Sequence, residues 1–155
     1  MESGNGKIRV VVADDSRTAL LSICGFLEFT GQFQIVGTAN DGLQAINQTE
    51  SSRPELVLTD LCMPYMTGLE AASQLRKSFP ELRILIFTEL RGHALREECL
   101  RCGADGFVEK SEMPEGLMEE VCRLFPRVCG EMEKASSAKP HVTCEHVRDD
   151  LPPAS

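Results

Sequence analysis

The sequence predicts an α/β domain: a parallel sheet of five strands, doubly wound, with five helices covering both its faces. Three observations predict it. Short aliphatic or β-branched runs recur along the chain, helical apolar spacings fall between them, and the two alternate from Ile8 to Phe125. Strands separated by helices are joined by right-handed crossovers, which lay them parallel in one sheet.

Each element has its own justification. Ile8–Ala13 (IRVVVA) is a nearly continuous β-branched run, as expected of a strand buried on both faces. In the following DDSRTALLSICGFLEF, Ser16 is an N-cap and Leu20, Ile23, Cys24 and Leu27 recur at helical spacing. Phe33–Ala39 (FQIVGTA) is the second strand, and a second helix over Asp41–Gln48 carries Leu43, Ala45 and Ile46. Glu55–Thr59 is the third strand, followed by a helix over Leu69–Phe79 that Pro80 closes. Leu82–Thr88 is the fourth strand and Gly92–Cys102 a helix ended by Gly103. Gly106–Glu109 is a short fifth strand, and Glu112–Phe125 the last helix. From Pro126 onward the chain turns polar, with Ser136-Ser137, Pro140 and Pro152-Pro153, and most of it reads as a flexible tail, directly or after an extension of the last helix.

The 155 residues suffice for one domain with a proper core, and a hydrophobic fraction of 42% argues for a folded chain. A net charge of −8 disfavours nucleic acid or an anionic membrane as a direct partner, since both require clustered Lys and Arg. No apolar run approaches the ~20 residues that cross a bilayer, and MESGNGKIRV lacks a secretory apolar core. The expectation is a cytoplasmic protein. Seven cysteines, an odd number beside a good aliphatic core, fit reduced thiols better than a disulfide framework. Cys99 and Cys102 form a C-x-x-C, but no second pair completes a zinc set, and the pair falls late in a helix. Leu95, Cys99 and Cys102 share helical spacing, so packing is the simpler account.

The chemistry lies at the strand ends. The first strand runs into Asp14-Asp15, the third into Asp60, the fourth into Thr88 and the fifth into Lys110. In a parallel sheet these carboxyl ends share one edge, where open α/β sheets bind their ligands. Carboxylates gathered together repel, and a divalent cation relieves them. Magnesium suits the set, because it takes oxygen ligands and shares its sphere with a phosphate. A lysine offers a point charge to a phosphate oxygen and a threonine hydroxyl a hydrogen bond. Acid cluster, hydroxyl and lysine together describe a phosphoryl-transfer site. No G-x-G-x-x-G follows the first strand, and no P-loop is present.

At this point the chain resembles a family. VVADDS, LVLTDLCMPYMTG, ILIFT and GADGFVEK, in this order and spacing, are similar to the receiver domains of bacterial two-component response regulators. The resemblance covers residues 7–125, and AASQLRKSFPELRILIFT is most similar to receivers of the NarL/FixJ type. It implies a flavodoxin-like sheet of order 2-1-3-4-5. It also implies a role for each position. Asp60 is the phosphoryl acceptor, supplied by a sensor histidine kinase or a phosphotransfer protein, and also a ligand of Mg2+. Asp15 is a direct ligand of Mg2+, Asp14 assists through water, and the backbone carbonyl of Cys62 is a further ligand. Thr88 is the switch hydroxyl, Phe107 the switch aromatic and Lys110 the phosphate-binding lysine. Output then passes through the face of the fourth helix, fifth strand and fifth helix to a partner protein or a second, phosphorylated copy. Such a chain is a signalling protein rather than an enzyme.

Two features depart from the pattern. NarL-type proteins usually continue into a helix-turn-helix domain, whereas about thirty polar residues follow here, so a stand-alone receiver is expected. Ser111 stands where receivers commonly have proline after the lysine. One alternative is the receiver part of a longer DNA-binding regulator. Another is an aspartyl-phosphate enzyme of the haloacid-dehalogenase type, but Asp14-Asp15-Ser16 puts serine where its second acid belongs.

Overall fold

A computed structural model describes residues 6–128. The chain divides into two compact units, 1–120 and 121–155. The first contains the whole sheet. Its strands are β1 (Ile8–Ala13), β2 (Phe33–Ala39), β3 (Leu56–Asp60), β4 (Arg83–Thr88) and β5 (Gly106–Glu109). They pair in parallel in the order β2-β1-β3-β4-β5, as the resemblance implies. The helices are α1 (Arg17–Thr30), α2 (Gly42–Ser52), α3 (Gly68–Ser78), α4 (His93–Arg101) and α5 (Glu115–Leu124).

Every residue of β3, and five of the six in β4, is buried, which explains their uninterrupted aliphatic sequences. Val11, Val57, Ile84 and Ile86 meet Ala72 and Leu75 of α3 and Cys99 of α4 in one apolar cluster. Cys99 therefore packs as expected, and Leu95 packs partly against the same cluster. Cys102 does not join it: it caps the end of α4, half-buried, with its thiol toward Glu98. Burial, reinforced by Cys102 and Glu98, pushes the Cys99 thiol up to about 11, which makes an unreactive thiol.

The helix ends follow local chemistry. Ser16 caps α1 by accepting from the Ala19 amide, and Gly31 closes it in the left-handed region. Thr67 and Glu70 form a reciprocal capping box at α3, which begins one residue before the expected start. α2 outlasts its apolar stretch and reaches Ser52. Asp41 is its cap, not its first residue, and Thr49 is buried with its hydroxyl donating to Ala45 O at 2.8 Å. Leu43 is 55% exposed, while Gly42, Ala45 and Thr49 face inward.

The last helix departs most from expectation. Instead of one helix from Glu112, a single 3-10 turn spans Lys110–Glu112 and α5 begins at Glu115. Pro114 supplies no amide and disfavours helical geometry in the residue before it, so Met113 is extended and the helix restarts beyond. The cis peptide among the described residues is Met113–Pro114. In the second unit the Phe125 amide donates to Val121 O and the Val128 amide to Phe125 O. The expected tail lies outside the described residues from 129 onward. Among the described residues no helix is long and apolar enough to cross a membrane.

Candidate phosphoacceptor site

The strand termini meet as the parallel register requires. Ala13 pairs with Thr59 and Asp60 with Phe87, so the acids after β1 and at the end of β3 share one edge. Oxygens of Asp14, Asp15 and Asp60 lie within 4.8 Å of one another. That is a donor set of the type that holds a hard divalent cation. The acids are not equivalent. Asp14 is fully buried, with Oδ1 accepting from the Ser16 amide at 2.8 Å and Oδ2 from Lys110 Nζ at 3.0 Å. Asp15 is exposed. Asp60, 6% exposed, accepts from the Cys62 amide on Oδ1 and from Lys110 Nζ on Oδ2, both at 3.4 Å.

One lysine thus serves two buried carboxylates. Burial, with the Asp14 charge added, raises Asp60 to about 6, and Lys110 and the Cys62 amide only partly offset this. Burial alone would lower Lys110, but the hydrogen bond to Asp14 and the charge of Asp60 outweigh it and hold the ammonium above the ordinary lysine value. Its Nζ also lies 5.1 Å from the centre of the Phe87 ring. Nothing in the sequence marks Phe87 for this place beyond its position one residue before Thr88.

Thr88, buried at the end of β4, accepts from the Leu90 amide at 3.1 Å. Phe107 is already inside, 3% exposed and part of the apolar cluster. Its ring lies 5.9 Å beneath the Arg96 guanidinium, which donates to Phe107 O at 3.3 Å and pairs with Glu120 at 3.8 Å. Arg96 was not singled out in the sequence, although its place one turn after Gly92 puts it on the side of α4 nearest β5. Arg96 and Phe107, with Glu112, Glu115 and Glu119, border an open groove of about 370 Å³. On the acid edge, Asp15, Leu61, Cys62, Met63 and Pro64 line a wider cleft of about 550 Å³. Cys62 is exposed there.

Residues 10–122 match the response regulator receiver domain. The chain belongs to that family. Two curated relatives illustrate its range. One is the oxygen regulatory protein NreC of Staphylococcus epidermidis, 32% identical over 119 residues, with 76% of this chain and 55% of that protein covered. The other is a protein-glutamate methylesterase/protein-glutamine glutaminase of Clostridium acetobutylicum, 31% identical over 124 residues, covering 79% and 36%. The receiver thus spans about half or less of the length of these relatives. The solved receiver domain of the putative response regulator NarL from Mycobacterium tuberculosis superimposes with a TM-score of 0.71 at 29% identity. That match covers 76% of this chain and 94% of the other.

Proposed function

We propose that this receiver takes a phosphoryl group onto Asp60 from the phosphohistidine of a sensor histidine kinase or phosphotransfer protein, with Mg2+. The observation that carries the reading is Asp60 itself. It ends β3 beside two further carboxylates and 3.4 Å from Lys110, at the margin of an open cleft. With Asp60 at about 6, its carboxylate is mostly ionised at neutral pH, the form that attacks. An Asp60 oxygen bonds to phosphorus, the P–N bond to the donor imidazole breaks, and the imidazole keeps the electron pair. Lys110 holds the transferred oxygens. Mg2+ held by Asp15 and Asp60 would supply neutralisation of the developing negative charge. Asp15 suits direct ligation because it is exposed at this edge, whereas Asp14 is fully buried and bonded to Lys110. The carbonyl of Cys62 follows from the resemblance.

The same reading makes the receiver a cytoplasmic, non-enzymatic signalling domain over residues 7–125. Phosphorylation draws the Thr88 hydroxyl toward a phosphate oxygen and changes the packing between Phe107 and Arg96. That alters the α4–β5–α5 face offered to an output protein or a second copy. Incubation with a small phosphodonor and Mg2+, then mass mapping of the adduct, tests the assignment. Adduct on a residue other than Asp60, or formation at the same rate under chelation, would overturn it.

The partial coverage of NreC supports a second reading, in which this receiver is one part of a longer regulator, DNA-binding by the resemblance to NarL-type proteins. The genomic reading frame beyond Ser155 separates the two.

A further inference from the structure

We propose that Gly42, at the start of α2, is a positioning residue that sets the aim of the Asp60 carboxylate through the loop from Leu61 to Thr67. The inference rests on the phosphoacceptor reading and deepens it.

The base of this loop is tied to the sheet. The Leu61 amide donates to Phe87 O at 3.2 Å, and the Gly68 amide to Leu61 O at 2.9 Å. Its far end is tied from outside. The Gly42 amide donates to Met66 O at 3.2 Å. As the first residue of α2, Gly42 has no acceptor within its own helix. The Asp41 side chain serves Gln44 instead, so the Gly42 N–H is directed at the loop.

The approach is close enough to exclude any side chain. A Cβ on Gly42 would lie 2.6 Å from Met66 O and 2.8 Å from both Cβ and Cγ of Met66. Gly42 is helical and needs no left-handed backbone, so glycine stands here for space, not for conformation.

The loop depends on such support. Tyr65 has a φ of 68°, an uncommon region for a residue with a side chain, and persists there only if its surroundings fix it. Its ring is 93% exposed and anchors nothing. The fixing contacts flank it instead: the Met66 amide donates to Pro64 O at 2.6 Å, and Met66 O accepts from Gly42.

The loop reaches Asp60 through one bond. Asp60 Oδ2 faces Lys110, and Oδ1 accepts from the Cys62 amide within the loop, each at 3.4 Å. Both bonds are at the long limit of hydrogen bonding, where a few tenths of an ångström decide whether they persist. Displacement of Met66 by a Gly42 side chain therefore re-aims the carboxylate that belongs to the acid cluster.

The test separates aiming from packing. Mg2+ stabilises the folded receiver according to its affinity, so the increment in unfolding free energy on adding Mg2+ reports the geometry of the acids. Gly42→Ala is expected to weaken Mg2+ about tenfold, shrinking that increment by about 1.4 kcal/mol at a fixed saturating concentration. Phosphoryl uptake from a small donor should slow in parallel. Gly37→Ala is the control, because its Cβ would first meet the flexible end of the Gln48 side chain, not the loop. It should keep the wild-type increment. A Gly42→Ala receiver that is less stable overall but gains as much from Mg2+ as wild type would reduce Gly42 to packing and overturn the proposal. If that variant does not fold, Met66→Ala carries the test. It should lose about threefold in affinity, and an unchanged increment refutes the inference. A wild-type receiver that neither gains from Mg2+ nor accepts a phosphoryl group would instead overturn the phosphoacceptor reading, and this inference with it.

Discussion

At the amino-terminal edge of the sheet, Asp105 accepts from the Arg76 guanidinium at 2.5 Å and from the Ile84 amide at 2.8 Å, with Arg83 3.6 Å away. Arg76 also donates to the carbonyls of Gly103, Pro80 and Leu82, stitching α3, the start of β4 and the α4–β5 turn together. At the carboxyl-terminal edge, three aspartates gather and two of them, Asp14 and Asp60, share Lys110. β4 runs from one arrangement to the other. One edge has two guanidiniums for a single carboxylate, and its polar groups are satisfied from within. The other keeps uncompensated negative charge against a buried wall, a cost that a folded protein bears only where the charge is used.

The sharpest contrast comes from the same substitution at each edge. Asp60→Asn removes the nucleophile, so labelling by a small phosphodonor should fall by roughly a thousandfold or more. The Mg2+-free protein should at the same time become more stable, because a buried and crowded charge is gone. Asp105→Asn should leave labelling within about twofold and lower stability. Arg76→Ala goes further, removing the guanidinium that donates to three carbonyls and to Asp105. Its cost should be about 2–3 kcal/mol in denaturant unfolding, reduced from the fully buried case because both groups are partly solvated. If Asp105→Asn blocks labelling as Asp60→Asn does, the two edges do not divide the work this way.

The two edges were also unequally legible in the sequence. Asp14, Asp15, Asp60, Thr88 and Lys110 could be placed because each directly follows or ends an aliphatic run, and strand direction alone brings such positions together. Arg76 and Asp105 gave no such signal. An arginine late in a helix and an aspartate before a glycine are ordinary surface residues until the α3–β4 and α4–β5 connections meet. The same limit hid Arg96, whose partners Phe107 and Glu120 come from two later elements. The start of α5 was misplaced because the helical pattern was carried back across Pro114, a breaker visible in the sequence. Nor does the sequence show that α2 turns Leu43 outward, or that its close seat against the loop of residues 61–67 selects glycine at position 42.

A smaller effect separates the edges by pH. Asp60 binds its proton more tightly when folded, at about 6 against an ordinary 3.8. Between those values the native state holds more protons than the unfolded one, so stability falls as pH rises through the window. The loss in Mg2+-free protein should be roughly 2 kcal/mol from pH 4 to 7. Asp60→Asn should flatten that slope. Lys110, held above its ordinary value, acts at the alkaline end, where its contribution is lost as pH rises through its folded value. A wild-type slope that survives in Asp60→Asn would assign the effect to another group.

The smallest expected effect concerns how long the acid edge keeps a phosphoryl group. Hydrolysis needs a water in line with the bond to Asp60, so the side chains bordering that path set the rate. By resemblance to other receivers, the bordering positions are the second after the acceptor, Cys62, and the second after the switch hydroxyl, Leu90. Both are exposed at this edge, Leu90 at 49%, and neither orients water strongly. Leu90 also supplies bulk, and its amide is fixed on Thr88 Oγ1, which keeps the side chain beside the site. The phosphorylated receiver should therefore decay over minutes or longer. Leu90→Glu and Cys62→Asn, each adding a group that hydrogen-bonds water, should each accelerate decay about tenfold. Gln74→Glu, an exposed change on α3, is the control and should alter nothing. The measurement is loss of label from purified phosphoprotein in Mg2+. Decay within seconds in the wild type, or no acceleration in either variant, would show that water reaches phosphorus by a path these two side chains do not border.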